Sequence, residues 1–386
     1  MKQRSFTFTF AFATFLIVAV LLMTFPLFAQ ESTAAGGKEC GCMFVDVKGN
    51  TSVKLRGATK SVPAKPRMLV HFGDLLFVGA SPGASLVCDG EKGILVLTKG
   101  PQAVPCDVGP GKPILIGGHT QNARLVDDTT LSGGSQSDIP IVLAPRATRL
   151  LNPHPTLRWQ CIPNATEYKV TVRGQGLSWA ATAHSTSALK YPIDAPELKR
   201  GQPYKVVITA GGRSSEEDDQ PGLGFTILSA EDEQLVRGAE TEIDSLAVET
   251  PTKRLMSARL LANHGLIAEA MDTLEEPPQS CDVRLVPNPD TTDPDALQLL
   301  GLLYARIGLT RRAEGYLLAA LQSSVQSGDS LGEAVSSDFL GQIYVALGNK
   351  KNALDKLQQA ERAYKAIGDD ENVAEVQRRS RILQMP

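Results

Sequence analysis

The amino-acid sequence predicts a multidomain protein with two all-β domains followed by an all-α domain of helical repeats. Glycine and proline, 34 and 24 in number, are concentrated before residue 225, where they separate short apolar runs at the spacing of an all-β fold. From about residue 229 onward, apolar residues recur every three or four positions, which is the helical period. A pattern at residues 300–308 returns 40 residues later, and such internal repetition indicates stacked helical units.

Composition and charge argue against a nucleic-acid-binding protein. The 386 residues carry a formal net charge of −3, so no broad basic field is present to attract phosphates. Aromatic residues make up only 5% of the chain, too few to suggest a base-stacking platform. The sequence therefore predicts no nucleic-acid partner, and no cofactor motif is recognised.

Residues 1–29 are predicted to be a secretory signal peptide. Lys2 and Arg4 precede an uncharged apolar stretch over residues 6–29, and Ala29 is a small residue suited to cleavage. The stretch is nearly long enough to cross a bilayer, so an uncleaved membrane anchor is the alternative. In either case we expect export to the periplasm or cell envelope, with membrane contact only through residues 6–29 if they stay uncleaved.

Export would place the six cysteines in an oxidising compartment, where disulfides form. Cys88 and Cys106 each follow a strand-like stretch and are the predicted disulfide pair. The sequence assigns no role to the other four cysteines, which are Cys40, Cys42, Cys161 and Cys281.

Two β-domains are predicted after a linker over residues 30–66. In residues 67–145, Gly73-Asp74-Leu75-Leu76-Phe77-Val78-Gly79 leads to Ala84-Ser85-Leu86-Val87 and the turn Asp89-Gly90. This pattern resembles the core of FecR-type β-domains, which recur in bacterial envelope and signalling proteins.

The second β-domain is predicted over residues 146–230. Pro155-Thr156-Leu157-Arg158-Trp159 is followed by an alternating strand around Tyr168 and by Pro203-Tyr204. This order is similar to fibronectin type III-like sandwiches, and it implies that Trp159 and Tyr168 lie in the core. The acidic run at residues 216–219 is interpreted as a solvated loop.

Residues 231–386 contain the repeat. Leu300-Gly301 and Tyr304 lie on one helical face, Gly308 suits the end of that helix, and small residues line the second helix. The two clear copies share Leu300, Gly301, Tyr304, Gly308, Ala313, Leu317 and Ala320 with Leu340, Gly341, Tyr344, Gly348, Ala353, Leu357 and Ala360. A weaker copy around Ala258 to Leu274 precedes them, and the last stretch, residues 371–384, is predicted to be a capping helix.

This pattern resembles tetratricopeptide (TPR) repeats, although the period of 40 exceeds the usual length of about 34. The resemblance implies a concave groove that binds a peptide or protein partner. The polar candidates for that groove are Gln298, Arg306, Asp338 and Gln342. The whole domain order looks like envelope proteins of cyanobacteria and related bacteria that carry TPR repeats, a group with no assigned biochemical activity.

No catalytic or metal site is predicted. Gly79-Ala80-Ser81-Pro82-Gly83 fits the nucleophile elbow of hydrolases, but Pro82 has no N–H to serve as an oxyanion donor. The five histidines show no zinc-ligand spacing. The leading hypothesis is a non-enzymatic exported interaction scaffold. The alternatives are a membrane-anchored signalling or assembly component and a hydrolase with an unrecognised site.

Overall fold

The computed structural model describes residues 40–79, 83–90, 93–105, 116, 138–218, 220, 222–275 and 293–385. Within these residues, seventeen strands and one 3-10 helix, Ser215–Glu217, precede eight α-helices. The predicted fold class, β-domains followed by helical repeats, is confirmed. The predicted signal peptide lies outside the described residues.

The first β-domain is formed by two four-stranded sheets. Sheet I has the order β4-β1-β6-β7, and sheet II has the order β3-β2-β5-β8. Their strands are β1 Gly41–Val47, β2 Thr51–Lys54, β3 Val62–Pro63, β4 Leu69–His71, β5 Leu75–Val78, β6 Ala84–Cys88, β7 Leu95–Val96 and β8 Gly100–Ala103.

The linker predicted over residues 30–66 is wrong from residue 40 onward, because β1, β2 and β3 belong to these sheets. Strand β1 is central to sheet I, where it pairs antiparallel with β4 and β6. Its continuous apolar run is typical of a strand that is buried on both faces rather than of a tether.

The predicted Cys88–Cys106 disulfide is also wrong, because the structure joins Cys88 to Cys42. These two cysteines lie opposite each other on adjacent antiparallel strands, with Cα atoms 4.0 Å apart. Strand pairing brings them together across 46 residues of sequence. Cys40 and Cys161 are disulfide-bonded as well, and Cys106 lies outside the described residues.

The second β-domain is a sandwich of two sheets. Sheet III has the order β10-β17-β15-β12-β13, with β16 paired to β15, and sheet IV has the order β14-β11-β9. Their strands are β9 Ile141–Ala144, β10 Thr148–Leu150, β11 Thr156–Gln160, β12 Glu167–Gly174, β13 Leu177–His184, β14 Ala188–Lys190, β15 Pro203–Ala210, β16 Arg213–Ser214 and β17 Phe225–Ile227.

Trp159 and Tyr168 are fully buried in the core of this sandwich, as the sequence pattern predicted, with ring centroids 5.6 Å apart. Strand β9 pairs with β11 and therefore belongs to this domain. The boundary predicted at residue 145 consequently lies one strand too late.

The helices form an antiparallel array in which each helix contacts the next. They are α1 Ala230–Ser245, α2 Thr250–Asn263, α3 Ile267–Leu274, α4 Pro294–Arg306, α5 Thr310–Ser327, α6 Ser330–Ala346, α7 Lys350–Ile367 and α8 Asp370–Gln384. Turns of two or three residues reverse the chain after α4, α5, α6 and α7. The even-numbered helices α4, α6 and α8 therefore run in the same direction, and we call them the inner helices.

The repeat glycines allow paired helices to approach closely. A Cβ added at Gly301 would lie 2.6 Å from Leu317 Cγ, and one added at Gly341 would lie 2.7 Å from Leu357 Cδ2. Gly328 and Gly368 end α5 and α7 in the left-handed conformation, with φ of +69° and +73°. Residues of the two copies thus occupy equivalent positions in successive helix pairs.

Candidate interaction surface of the helical repeats

The central strands of sheet I, β1 and β6, are buried on both faces. On β1, Cys42 and Phe44 belong to a core that includes sheet II and residues of α7 and α8, while Met43 belongs to the larger core of the preceding helices. Val87 on β6 also belongs to the helical core, and Leu69 on β4 packs against it. Because side chains alternate along a strand, one sheet serves two cores. The helices therefore cover the second face of sheet I.

Ion pairs surround this apolar contact. Lys65 pairs with Asp329, which precedes α6, and Arg67 pairs with Asp293 at the start of α4. Arg67 Nε also lies 3.4 Å from Asp295 Oδ2. The carboxylates stand at helix N-termini, where the helix dipole already favours negative charge.

A cavity of about 60 Å³ remains between the first β-domain and the helices. The β-domain lines it with residues that include His71, and the helices line it with Arg259, Asp295, Gln298 and Val335. The N-terminal halves of α4 and α6 are therefore already in contact with another part of the same chain.

Of the four predicted groove residues, Gln298 takes part in this contact and Asp338 is engaged by other helical residues. Gln298 lines the cavity and donates to Ser336 Oγ at 3.1 Å. Asp338 is only 3% exposed, forms an ion pair with Arg379 on α8, and accepts from Gln342 Nε2 at 3.4 Å. Burial raises the pKa of Asp338, whereas the adjacent Arg379 favours its ionised form.

The other two predicted groove residues, Arg306 and Gln342, lie toward the C-terminal ends of their helices. Arg306 is exposed at the last position of α4, and Gln342 is half-buried near the end of α6. Of the four candidates, Arg306 is thus the exposed one, while Gln342 is half-buried and bonded to Asp338.

Large apolar side chains are exposed at the same end of the inner helices. Val345 on α6 is 44% exposed, Ile382 on α8 is 52% exposed, and Met385 after α8 is 64% exposed. Since the inner helices run in the same direction, these residues and Arg306 lie at one end of the array. We call Arg306, Val345, Ile382 and Met385 the C-terminal rim.

The second β-domain contacts the helices through polar groups that the sequence pattern does not reveal. Arg146 is 2% exposed; its Nε donates to the Ile307 carbonyl at 2.7 Å, and its Nη1 lies 2.8 Å from Asp218 Oδ2. Gln220 accepts from Arg146 Nη2 at 2.8 Å and donates to the Gly308 carbonyl at 3.2 Å. Burial lowers the pKa of Arg146, while the Asp218 carboxylate opposes that shift.

The interpretation of residues 216–219 as a solvated loop is wrong for Asp218, whose side chain is only 8% exposed. Its carboxylate neutralises the buried Arg146, which explains why an acidic side chain is buried at this position. No spacing rule connects two residues that lie 72 positions apart.

Tyr304, a residue of the repeat pattern, takes part in a buried network. It stacks on Tyr316 with ring centroids 5.2 Å apart, and both hydroxyls donate to the Glu275 carboxylate. Burial raises the pKa of Glu275, and the two hydroxyl donors oppose that shift. This network joins α3 to the next helix pair and is structural.

No cluster of potential metal ligands is present among the described residues. Within the same residues, no helix has the length and hydropathy needed to span a membrane. The serine of the sequence motif at residues 79–83 lies outside the described part of the chain.

Comparison with known proteins identifies the helical repeats. Residues 294–366 match the tetratricopeptide repeat family model, and no curated protein matches the chain. Among solved structures, the chain is similar to BtubC (BKLC) from P. vanneervenii, with 21% identity and a TM-score of 0.26. That alignment covers 39% of this chain and 59% of the other, so the chain spans less than two thirds of that protein's length. The repeat match, which covers helices α4 to α7, supports a role as a protein-interaction scaffold.

Proposed function

We propose that this protein is a non-enzymatic, exported scaffold of the bacterial envelope that binds a peptide or protein partner at the C-terminal rim. The proposal rests on two observations together: residues 294–366 match the TPR family model, and the first β-domain covers only part of the surface of the inner helices. The N-terminal halves of the inner helices contact the first β-domain, while Arg306, Val345, Ile382 and Met385 stay exposed.

The rim has the composition of a binding surface. Exposed valine, isoleucine and methionine can bury apolar area against a partner, and methionine adapts to different shapes. Arg306 and Arg381 add exposed positive charge to the C-terminal ends of α4 and α8. We therefore expect the partner to present a short amphipathic segment with apolar anchors and acidic neighbours, the type of ligand that helical grooves bind.

Export to an oxidising compartment explains, in this proposal, why the cysteines are disulfide-bonded. The disulfide between Cys42 and Cys88, together with the bonded state of Cys40 and Cys161, suits an oxidising compartment. The apolar segment at residues 6–29 would direct the chain there, either as a cleaved signal or as an anchor. Sequencing the N-terminus of protein purified from its native envelope tests this point: a start at Gln30 indicates cleavage, and a start at Met1 indicates an anchor.

The two β-domains are, in our proposal, a FecR-like domain and a fibronectin type III-like domain. The strand-turn pattern around Gly73-Asp74 supports the first assignment, and the two-sheet core around Trp159 supports the second. In this arrangement they act as further structural modules of the scaffold.

The proposal is tested by capturing partners from envelope extract with the full exported chain. A double variant, Val345→Glu with Ile382→Glu, places charge in the rim, and Val325→Glu is the matched control on the outward face of α5, where Val325 is 51% exposed. For a partner identified with the wild type, we expect binding to weaken at least about tenfold in the rim variant and to stay unchanged in the control. Equal binding by all three proteins would exclude the rim as the binding surface.

A further inference from the structure

A larger cavity, of about 250 Å³, lies between the second β-domain and helix α3. The β-domain contributes His154, Arg158 and Lys190 to its lining, and α3 contributes Glu269 and Asp272. The cavity thus combines charged and apolar lining residues, lies at a junction between two domains, and is large enough for a small organic molecule.

Two polar atoms of these lining residues are buried and have no hydrogen-bond partner among the described residues. They are Oε2 of Glu269 and Nδ1 of His154. The other oxygen of Glu269, Oε1, accepts from the Leu151 backbone N–H at 2.9 Å, so the carboxylate is held in place by the β-domain. Buried polar atoms without partners are costly, and each calls for an unseen partner.

The charges around the cavity leave Glu269 without a counter-ion. Asp272 is neutralised by Arg158, whose Nη1 lies 2.5 Å from Asp272 Oδ1. Glu269 has no ion pair among the described residues, and Asp272 and Arg158 are the charged groups that act on it. Lys190 is exposed to solvent.

We propose that this cavity binds a small molecule that carries a primary ammonium group, which donates hydrogen bonds to Glu269 Oε2 and His154 Nδ1. An ammonium group supplies three donors and the missing positive charge. The His154 ring accepts through Nδ1 when its proton is on Nε2. This site is separate from the C-terminal rim and does not depend on the scaffold function.

The ionisation of Glu269 gives the site a characteristic pH dependence. Burial, reinforced by the nearby Asp272 carboxylate, raises the pKa of Glu269 to about 7. The ammonium group needs an ionised carboxylate and itself stays protonated to about pH 10. Binding therefore strengthens as the pH rises from 6 to 8.

Calorimetric titration of the full exported chain with methylammonium chloride tests the site. Tetramethylammonium chloride is the control for a cation without N–H donors, and sodium chloride is the control for ionic strength. We expect saturable binding of methylammonium only, about tenfold or more weaker in Glu269→Gln and in His154→Phe. Asp244→Asn, which removes one exposed charge from α1, should bind like the wild type.

Glutamine keeps the acceptor that holds the Leu151 N–H, so Glu269→Gln should fold, and a matching circular dichroism spectrum checks this. Absence of methylammonium binding, or equal binding of tetramethylammonium, would overturn the proposal. A wild-type affinity that does not change between pH 6 and 8 would also overturn it.

Discussion

The two β-domains contact the same helical array in different ways. The first places an apolar sheet face against the helices, with Met43 and Val87 at most 1% exposed. The second combines buried apolar residues with polar groups directed at helix ends, such as Arg146 at the Ile307 carbonyl and Thr148, whose hydroxyl accepts from the Ile267 N–H at 2.9 Å. Only part of its apolar surface, including Ile141 and Leu143 on β9, joins the helical core.

The difference indicates what each contact contributes. A contact made by an apolar sheet face is stabilised mainly by the burial of apolar surface. This contribution is proportional to the buried area and depends little on salt or pH. Directed polar contacts fix orientation, and they become costly when one partner is lost. The first β-domain is thus predicted to be a permanent part of the helical core, and the second to be sensitive to single polar changes.

The largest effect is expected from Met43→Asp. The substitution places a carboxylate where the side chain is fully buried between sheet I and the helices, and we expect a loss of more than about 5 kcal/mol in the free energy of unfolding. Phe77→Asp is the control, because Phe77 lies on sheet II of the same domain and is 36% exposed. Urea unfolding of both variants measures the difference, and equal losses would contradict the burial of both faces of sheet I.

The second largest effect is expected from Arg146→Ala, which should lower the free energy of unfolding by about 3 to 5 kcal/mol. The change leaves the Asp218 carboxylate buried without its cation and the Ile307 carbonyl without its donor. Arg173→Ala is the matched control, since Arg173 forms an exposed pair with Glu216 and should cost less than about 1 kcal/mol. A loss below about 1 kcal/mol for Arg146→Ala would show that this contact does not hold the second domain.

The pH dependence of Glu269 gives a third test of the polar contact. Its pKa is raised from 4.5 to about 7, so between these values the folded protein binds more protons than the unfolded chain. The contribution of Glu269 to the free energy of unfolding is therefore largest at low pH. It decreases as the pH rises through 7, by at most about 3 kcal/mol. In Glu269→Gln the slope of unfolding free energy against pH should be flatter between pH 4.5 and 7. A slope identical to that of the wild type would exclude the raised pKa.

The smallest effect is expected from the ion pairs around sheet I. Arg67 pairs with Asp293 and Asp295 but is 24% exposed, so Arg67→Ala should cost about 1 kcal/mol. The difference from the wild type should shrink in 0.5 M salt, because salt screens partly exposed charges. A loss as large as that of Met43→Asp would mean that charge, and not apolar burial, holds the first domain.

The sequence predicts those parts of the fold that depend on local periodicity. The 40-residue repeat places Gly301 and Leu317, and then Gly341 and Leu357, without knowledge of any distant contact. The sequence pattern does not predict strand β1, because its partners β4 and β6 lie more than 20 residues away. Its apolar run also does not show which faces of the strand are covered. The Cys42–Cys88 disulfide is missed for the same reason.

The candidate surface is predictable only in outline. Helical periodicity places Gln298, Arg306, Asp338 and Gln342 on the inner helices, but it cannot show that the first β-domain contacts part of that surface. Nothing in the local pattern distinguishes Arg306, which stays exposed, from Gln298, which lines the cavity with His71. Long-range packing decides which residues of a predicted groove remain accessible.

We infer that the first β-domain occupies the N-terminal half of the inner helical surface. Carbodiimide cross-linking, which joins an amine to a carboxylate only when they touch, tests it directly at Lys65 and Asp329, an ion pair between that domain and the start of α6. The Lys365–Glu361 pair within α7 is the internal control, because it forms whether or not the β-domain is in contact. We expect both cross-links in the monomer by mass spectrometry. A Lys365–Glu361 link without the Lys65–Asp329 link would show that the β-domain does not contact the start of α6.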